Sequence, residues 1–254
     1  MKLRVLGCSG GIGGDLRTTS LLIDQDILID AGTGVGDLGL GELALIDHVF
    51  LTHSHLDHIL CIPLLLDSVA GLRASPLTVY ATAETIEILQ LHIFNWKVWP
   101  DFCKIPDPQK PYMRYQAISV GEPVILNGRA ITPLSAHHVV PAVGYQLDSG
   151  SSSLVVSGDT STQEHFWEQI NRIENLKHLI IETAFPNEEK ELAVLSKHLC
   201  PSLLAEELAK LQGKPIIYIS HLKPGACETT MRQISECVQN FSPKMLMHGQ
   251  VIEF

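Results

Sequence analysis

The sequence predicts an α/β fold, built as a single domain over residues 1–254. Three observations predict it. Short apolar runs of strand length alternate with longer helical patterns through two halves of the chain. Several of those runs stop at a histidine or an aspartate. The 254 residues suffice for one large core, with no low-complexity linker or run of like charges to divide them.

The first half carries strands near 2–7, 20–24, 27–30, 47–52 and 77–81, with helices over 58–70 and 83–93. The stretch Asp47-His48-Val49-Phe50-Leu51 reads as a buried strand running into a loop. The second half opens with strands at Ala130–Ser135, Gly144–Leu147 and Leu154–Ser157, then a helix near 162–172 and a strand at 177–182. A helix begins at Pro201, whose missing N–H is harmless in a first turn, and puts Leu204, Leu208 and Leu211 on one face. A strand at 215–219 and a helix near 226–239 complete the pattern.

Chemistry concentrates in Thr52-His53-Ser54-His55-Leu56-Asp57-His58, where three imidazoles and a carboxylate fall within six positions. Packing does not account for such a run. His53 and His55, two positions apart beyond a strand end, reach one metal from the same side, and the adjacent Asp57 and His58 can turn toward a second. Neutral imidazole and carboxylate suit zinc or a similar borderline ion. Further donors stand at later strand ends: His137-His138 after Ala130–Ser135, Asp159 after Leu154–Ser157, and His221 after Ile216-Ile217-Tyr218-Ile219-Ser220.

Charge and cysteine usage exclude other classes. Eighteen Lys and Arg against 28 acids give a formal net charge of −10, with no basic cluster. Extended RNA or DNA is disfavoured as a partner, because phosphate neutralisation supplies most of that affinity. A small anionic substrate held by metals remains compatible. The six cysteines are scattered without C-x-x-C spacing and read as free thiols. No signal-peptide pattern or bilayer-spanning apolar stretch is evident, so no membrane association is expected and the cytoplasm is the expected location.

The H-x-H-x-D-H run, followed in order by the later histidines and aspartate, resembles the signature of the metallo-β-lactamase superfamily. That resemblance implies an αβ/βα sandwich, two packed mixed β-sheets with helices outside. Further motifs look like class II cyclic-nucleotide phosphodiesterases: Glu182-Thr183-Ala184-Phe185-Pro186-Asn187, Leu192-Ala193 with Ser196-Lys197-His198-Leu199-Cys200-Pro201, and Ser220-His221-Leu222-Lys223-Pro224. Leu6-Gly7-Cys8-Ser9-Gly10-Gly11 and Leu28-Ile29-Asp30-Ala31-Gly32 extend the likeness over nearly the whole chain. It departs after His58-Ile59, where Cys61 and Pro63 interrupt that class's usual aliphatic run.

By this resemblance His53, His55 and His138 hold one divalent ion, Asp57, His58 and His221 hold a second, and Asp159 bridges them. Zinc is the first expectation, with manganese or iron as alternatives. His137 is the neighbour that competes with His138, and Pro141 and Gly144-Tyr145 favour His138. Two ions would acidify a water and stabilise charge on phosphoryl oxygens. Asp57 orients the nucleophile, and His198, held by Glu182, polarises the phosphate or protonates the leaving oxygen. The implied reaction is hydrolysis of 3′,5′-cyclic AMP or GMP to the 5′-monophosphate. Ribonuclease Z, the tRNA 3′-processing endonuclease, is the alternative: Glu182, His198 and His138-x-x-Pro141-x-x-Gly144-Tyr145 also match its pattern. Against it, His198 is followed by Leu-Cys-Pro and no basic arm is evident. A thioester or lactone hydrolase is a third reading, with no use for the Glu182–His198 pair.

Other features have plainer readings. Gly10-Gly11-Ile12-Gly13-Gly14 lacks the Walker lysine and reads as a turn approaching the site. Cys8 and Ser9 are not needed as nucleophiles, and Asp30 is expected to fix a loop or orient a ligand. The aromatic, proline-rich segment 94–115 is a candidate lid or homodimer contact.

Overall fold

The computed structural model describes residues 1–254. Two seven-stranded mixed sheets pack face to face, with helices on the outer faces. In the first, the strands run in the order Val251–Glu253, Lys2–Gly7, Ser20–Ile23, Ile27–Ile29, His48–Phe50, Leu77–Ala81 and Met113–Ala117. The second runs Lys244–Met245, Ile216–Ser220, Leu176–Glu182, Ser153–Val156, Val143–Asp148, Arg129–Ser135 and Val124–Leu126. Each sheet passes from three antiparallel pairings to three parallel ones, so the two halves share one plan.

Alternation along each strand makes the layers. Leu21, Ile23, Ile27 and Ile29 point into the core between the sheets, where they meet Val143, Tyr145, Leu147 and Ile180. Leu22, Leu28 and Val49 turn outward and pack under Ile62, Leu65 and Leu66 of the helix Cys61–Val69. In the other half Leu179, Ile181, Ile217 and Ile219 face Leu204 and Leu208 of the helix Pro201–Leu208 and Ile234 of the helix Cys227–Cys237. With both faces covered, these strands need continuous apolar runs, the pattern visible in the sequence.

Several elements differ from expectation. The expected helix over 58–70 starts earlier, as Leu56–Ile59, and resumes as Cys61–Val69. Pro63 lacks the N–H that would bond Ile59, which explains the interruption. The helix expected near 162–172 is confined to His165–Ile170. Helices Leu40–Leu45 and Lys190–Ser196 and strands Met113–Ala117, Val124–Leu126, Lys244–Met245 and Val251–Glu253 were not expected. Those strands are the sheet edges; Val124–Leu126 is only three residues long and the other three carry polar residues, so their apolar periodicity is weak. In the 94–115 segment, Phe94 and Phe102 are buried in the outer core of the first half, with Trp99, Tyr112 and Tyr115 packed against it; Trp96 stays exposed. Most of these aromatics pack the segment onto its own half.

Candidate metal centre

The predicted donors converge at the ends of four strands. His53, His55, His138 and Asp159 bring ligand atoms within 4.8 Å of one another, as do Asp57, His58 and His221. Asp159 stands between the groups: Oδ2 lies 3.6 Å from His53 Nε2 and 3.4 Å from His58 Nε2, and Oδ1 lies 3.3 Å from His221 Nδ1. His58 Nε2 is 3.7 Å from Asp57, and His138 Nε2 is 3.3 Å from His55 Nδ1. His137 is exposed and its ring turns to the Thr162 carbonyl, 3.2 Å away, whereas His138 is buried in the cluster. His55 and Asp57, both half-exposed, mark the open side.

Local structure aims these groups. Asp30 is fully buried at the end of Ile27–Ile29 and accepts from Thr52 N at 2.8 Å, Thr52 Oγ1 at 2.8 Å and His58 Nδ1 at 2.7 Å. Because the Thr52 hydroxyl donates to Asp30, it accepts from His53 Nδ1, 2.9 Å away. His138 Nδ1 donates to the Lys197 carbonyl at 3.0 Å. In all three histidines the outer nitrogen therefore carries a hydrogen, which leaves Nε2 as the atom that would present a lone pair inward to a cation. His53 Nε2, His58 Nε2 and His221 Nδ1 are buried with no hydrogen-bond partner. Buried polar atoms are normally paired, so this donor set fits divalent cations.

The backbone is bent to the same end. Asp30, Lys197 and His221 hold left-handed φ values of 58°, 54° and 61°, uncommon for residues with a side chain and concentrated at functional sites. Gly158 has φ 61°, and a Cβ there would press on the Val143 carbonyl and on Thr52. Gly10 approaches so closely that a Cβ would strike the His221 backbone. Tyr145 is fully buried and donates to the Leu51 carbonyl at 2.6 Å, fixing the strand end that launches the histidine run.

Burial and charge oppose each other across the cluster. Burial pushes the His53 imidazole well below its ordinary range and His138 down to about 4. Burial would also lower His58, but Asp159 and Asp30 outweigh it and raise that group well above 6.5. Burial would raise Asp159, yet His221 and His58 hold it well below the usual carboxylate range. Such carboxylates, closely ringed by imidazoles, favour a cation among them.

Beside the cluster, His198 Nδ1 donates to Glu182 Oε1 at 2.8 Å. Glu182 is buried at the end of Leu176–Glu182 and also accepts from Thr160 N at 3.1 Å and Leu199 N at 3.4 Å. Burial raises Glu182, while for His198 the Glu182 charge overcomes burial and raises the imidazole. His198 stacks on His221 with centroids 5.2 Å apart and meets His138 at 4.9 Å, so it borders both donor groups. Two contributors escaped the sequence reading. Thr52, directly before the histidine run, carried a usable signal; the Lys197 carbonyl, a backbone group, carried none.

Fold and site together define a metal-dependent hydrolase of the metallo-β-lactamase fold. The chain belongs to the family described as the beta-lactamase superfamily domain, which matches residues 25–233. A Yersinia pestis protein named a probable 3′,5′-cyclic-nucleotide phosphodiesterase is 29% identical over 204 residues, 70% of this chain. The aligned stretch spans only 57% of that relative's length. The Bacillus subtilis probable metallo-hydrolase YhfI is 25% identical over the full length of both chains. Its crystal structure superposes with a TM-score of 0.78 over 99% of this chain and 98% of that one. Unliganded yeast PDE1 superposes with a TM-score of 0.80 at 18% identity, over 98% of each chain, a likeness of fold.

Proposed function

We propose that this chain is a phosphodiesterase using two divalent metal ions to hydrolyse 3′,5′-cyclic nucleotides to 5′-monophosphates. The observation that carries the reading is the Glu182–His198 pair set against the shared Asp159, since phosphodiester cleavage needs an acid beside the charge-stabilising centre. His53, His55 and His138 would hold one ion and Asp57, His58 and His221 the other, with Asp159 common to both. Bound there, the ions would supply positive charge to phosphoryl oxygens and lower the pKa of a water.

The chain's own residues do the rest. Asp57, at the open side, orients the attacking water toward phosphorus. Water oxygen forms the new P–O bond as the bond to the 3′-oxygen breaks in line; one water proton stays on the product phosphate and the other passes to solvent, offsetting the proton that His198 gives up. His198, whose Nδ1–H is held by Glu182, delivers a proton to the departing 3′-oxygen, leaving a 3′-hydroxyl and a 5′-monophosphate. The name of the Yersinia protein supports this substrate class. The net charge of −10 supports a small substrate over extended RNA.

The test is hydrolysis of a panel holding 3′,5′-cyclic AMP and GMP, their 2′,3′ isomers, a pre-tRNA and a thioester. Conversion of a 3′,5′-cyclic nucleotide to its 5′-monophosphate, abolished by chelator and restored by metal, is expected. Efficient pre-tRNA cleavage without turnover of any cyclic nucleotide would replace this reading with the ribonuclease one.

A further inference from the structure

Lys223 lies two residues beyond His221, in a loop tied down on both sides. His221 N donates to the Cys8 carbonyl at 2.7 Å, Gly10 N to the Leu222 carbonyl at 3.0 Å, and Lys223 N to the Ala184 carbonyl at 3.1 Å. The loop thus joins the glycine turn to the segment after Glu182. The half-buried Lys223 side chain repeats that link. Its Nζ donates to the Gly10 carbonyl at 2.8 Å and stands 5.7 Å from the centre of the Phe185 ring. Phe185 in turn packs on His198, with centroids 5.7 Å apart.

Two features set this ammonium apart. No carboxylate lies within 4.0 Å of it, although the chain carries 28 acids against 18 basic residues. An ammonium has three N–H donors, and the Gly10 carbonyl takes one. A positive group kept clear of carboxylates, braced on a carbonyl and on the aromatic ring that packs against the proposed general acid, is suited to an anion.

We propose that Lys223 is a specificity-determining residue for anionic esters, its ammonium donating to a phosphoryl oxygen of the substrate beside His198. This rests on the phosphodiesterase reading and adds the group that separates a phosphodiester from a neutral ester or lactone. A charge-assisted hydrogen bond to phosphate discriminates by charge as well as geometry. The glycine turn then has a function: Gly10 offers the carbonyl that aims the amine.

The experiment uses the metal-loaded chain with Lys223→Gln and Lys223→Arg. Glutamine keeps a donor for the Gly10 carbonyl without the charge, and arginine keeps the charge. The probes are inorganic phosphate as competitive inhibitor, bis(p-nitrophenyl) phosphate as anionic substrate and p-nitrophenyl acetate as neutral substrate. Lys223→Gln is expected to raise the phosphate inhibition constant and the diester KM by about 10- to 100-fold, the range of a hydrogen bond to a charged group. Metal content, melting temperature and acetate turnover are expected to stay near wild type, with Lys223→Arg recovering phosphate affinity. An unchanged phosphate constant in Lys223→Gln, with wild type cleaving the diester, overturns this proposal alone. Equal losses on diester and acetate with a lowered melting temperature assign Lys223 a structural role and overturn it too. A wild type that cleaves acetate and no phosphodiester sinks the phosphodiesterase reading and this inference with it.

Discussion

Asp30→Asn isolates the carboxylate that holds His58 in place. Asp30 accepts three hydrogen bonds, from Thr52 N, Thr52 Oγ1 and His58 Nδ1. Asparagine is nearly isosteric and keeps an oxygen for the Thr52 N–H. Its amide nitrogen then faces two donors. The Thr52 hydroxyl can rotate away, but the imidazole can relieve the conflict only by moving its hydrogen to Nε2, which removes the lone pair aimed at the second donor group. Loss of such outer support typically costs metal affinity about 10- to 100-fold, which is about 1.4–2.7 kcal/mol. Titration against a chromogenic chelator should show one ion weakened by that factor. The ion at His53, His55 and His138 should lose less, because Thr52 stands between Asp30 and His53. Circular dichroism alongside checks that the fold is retained. Unchanged affinity for both ions, or equal loss at both, would refute the argument that Asp30 acts through His58.

Asp159 approaches His53, His58 and His221 at 3.3–3.6 Å, so Asp159→Ala should lose occupancy of both ions from a starting content near two per chain, measured by elemental analysis; one ion retained with full activity would contradict its bridging place. His198→Ala should keep near-normal metal content while kcat falls by about 10²–10⁴, and joint loss of metal and activity would move His198 into the ligand set. His178, buried between the sheets near Tyr218 and Phe254, has its imidazole pushed down by burial. The unfolded chain therefore binds the proton more readily, and the stability this group contributes is whole above about pH 6.5 and lost as pH falls toward its lowered folded value. Urea unfolding across that window should show a shallower decline for His178→Phe than for wild type, and parallel curves would exclude His178 as a source of the acid sensitivity.

Much of the fold was legible because its central strands are covered on both faces. Runs such as Ile27 to Ile29 and Leu179 to Ile181 must be apolar to lie between two cores, and they show plainly in the sequence. Edge strands lack that requirement: Met113-Arg114-Tyr115-Gln116-Ala117 pairs along one side only, and three of its residues are exposed. The site was legible for a related reason. Each proposed ligand sits where an apolar run stops, and a histidine or aspartate there is conspicuous. The resemblance supplied the grouping into two sets, which spacing alone could not give, since His138 meets His55 across 83 residues of chain.

The part that sequence could not show is carried by backbone and by long-range charge. A carbonyl has no letter of its own, so the bond from His138 to Lys197 is invisible until residues 138 and 197 are brought together. The same holds for Glu182, which looks like any strand-terminal acid. Only the folded chain shows it buried with His198 and two backbone N–H groups as partners. Burial is what gives that carboxylate its force: in a low dielectric an acid beside an imidazole fixes the ring, whereas at a wet surface it would do little.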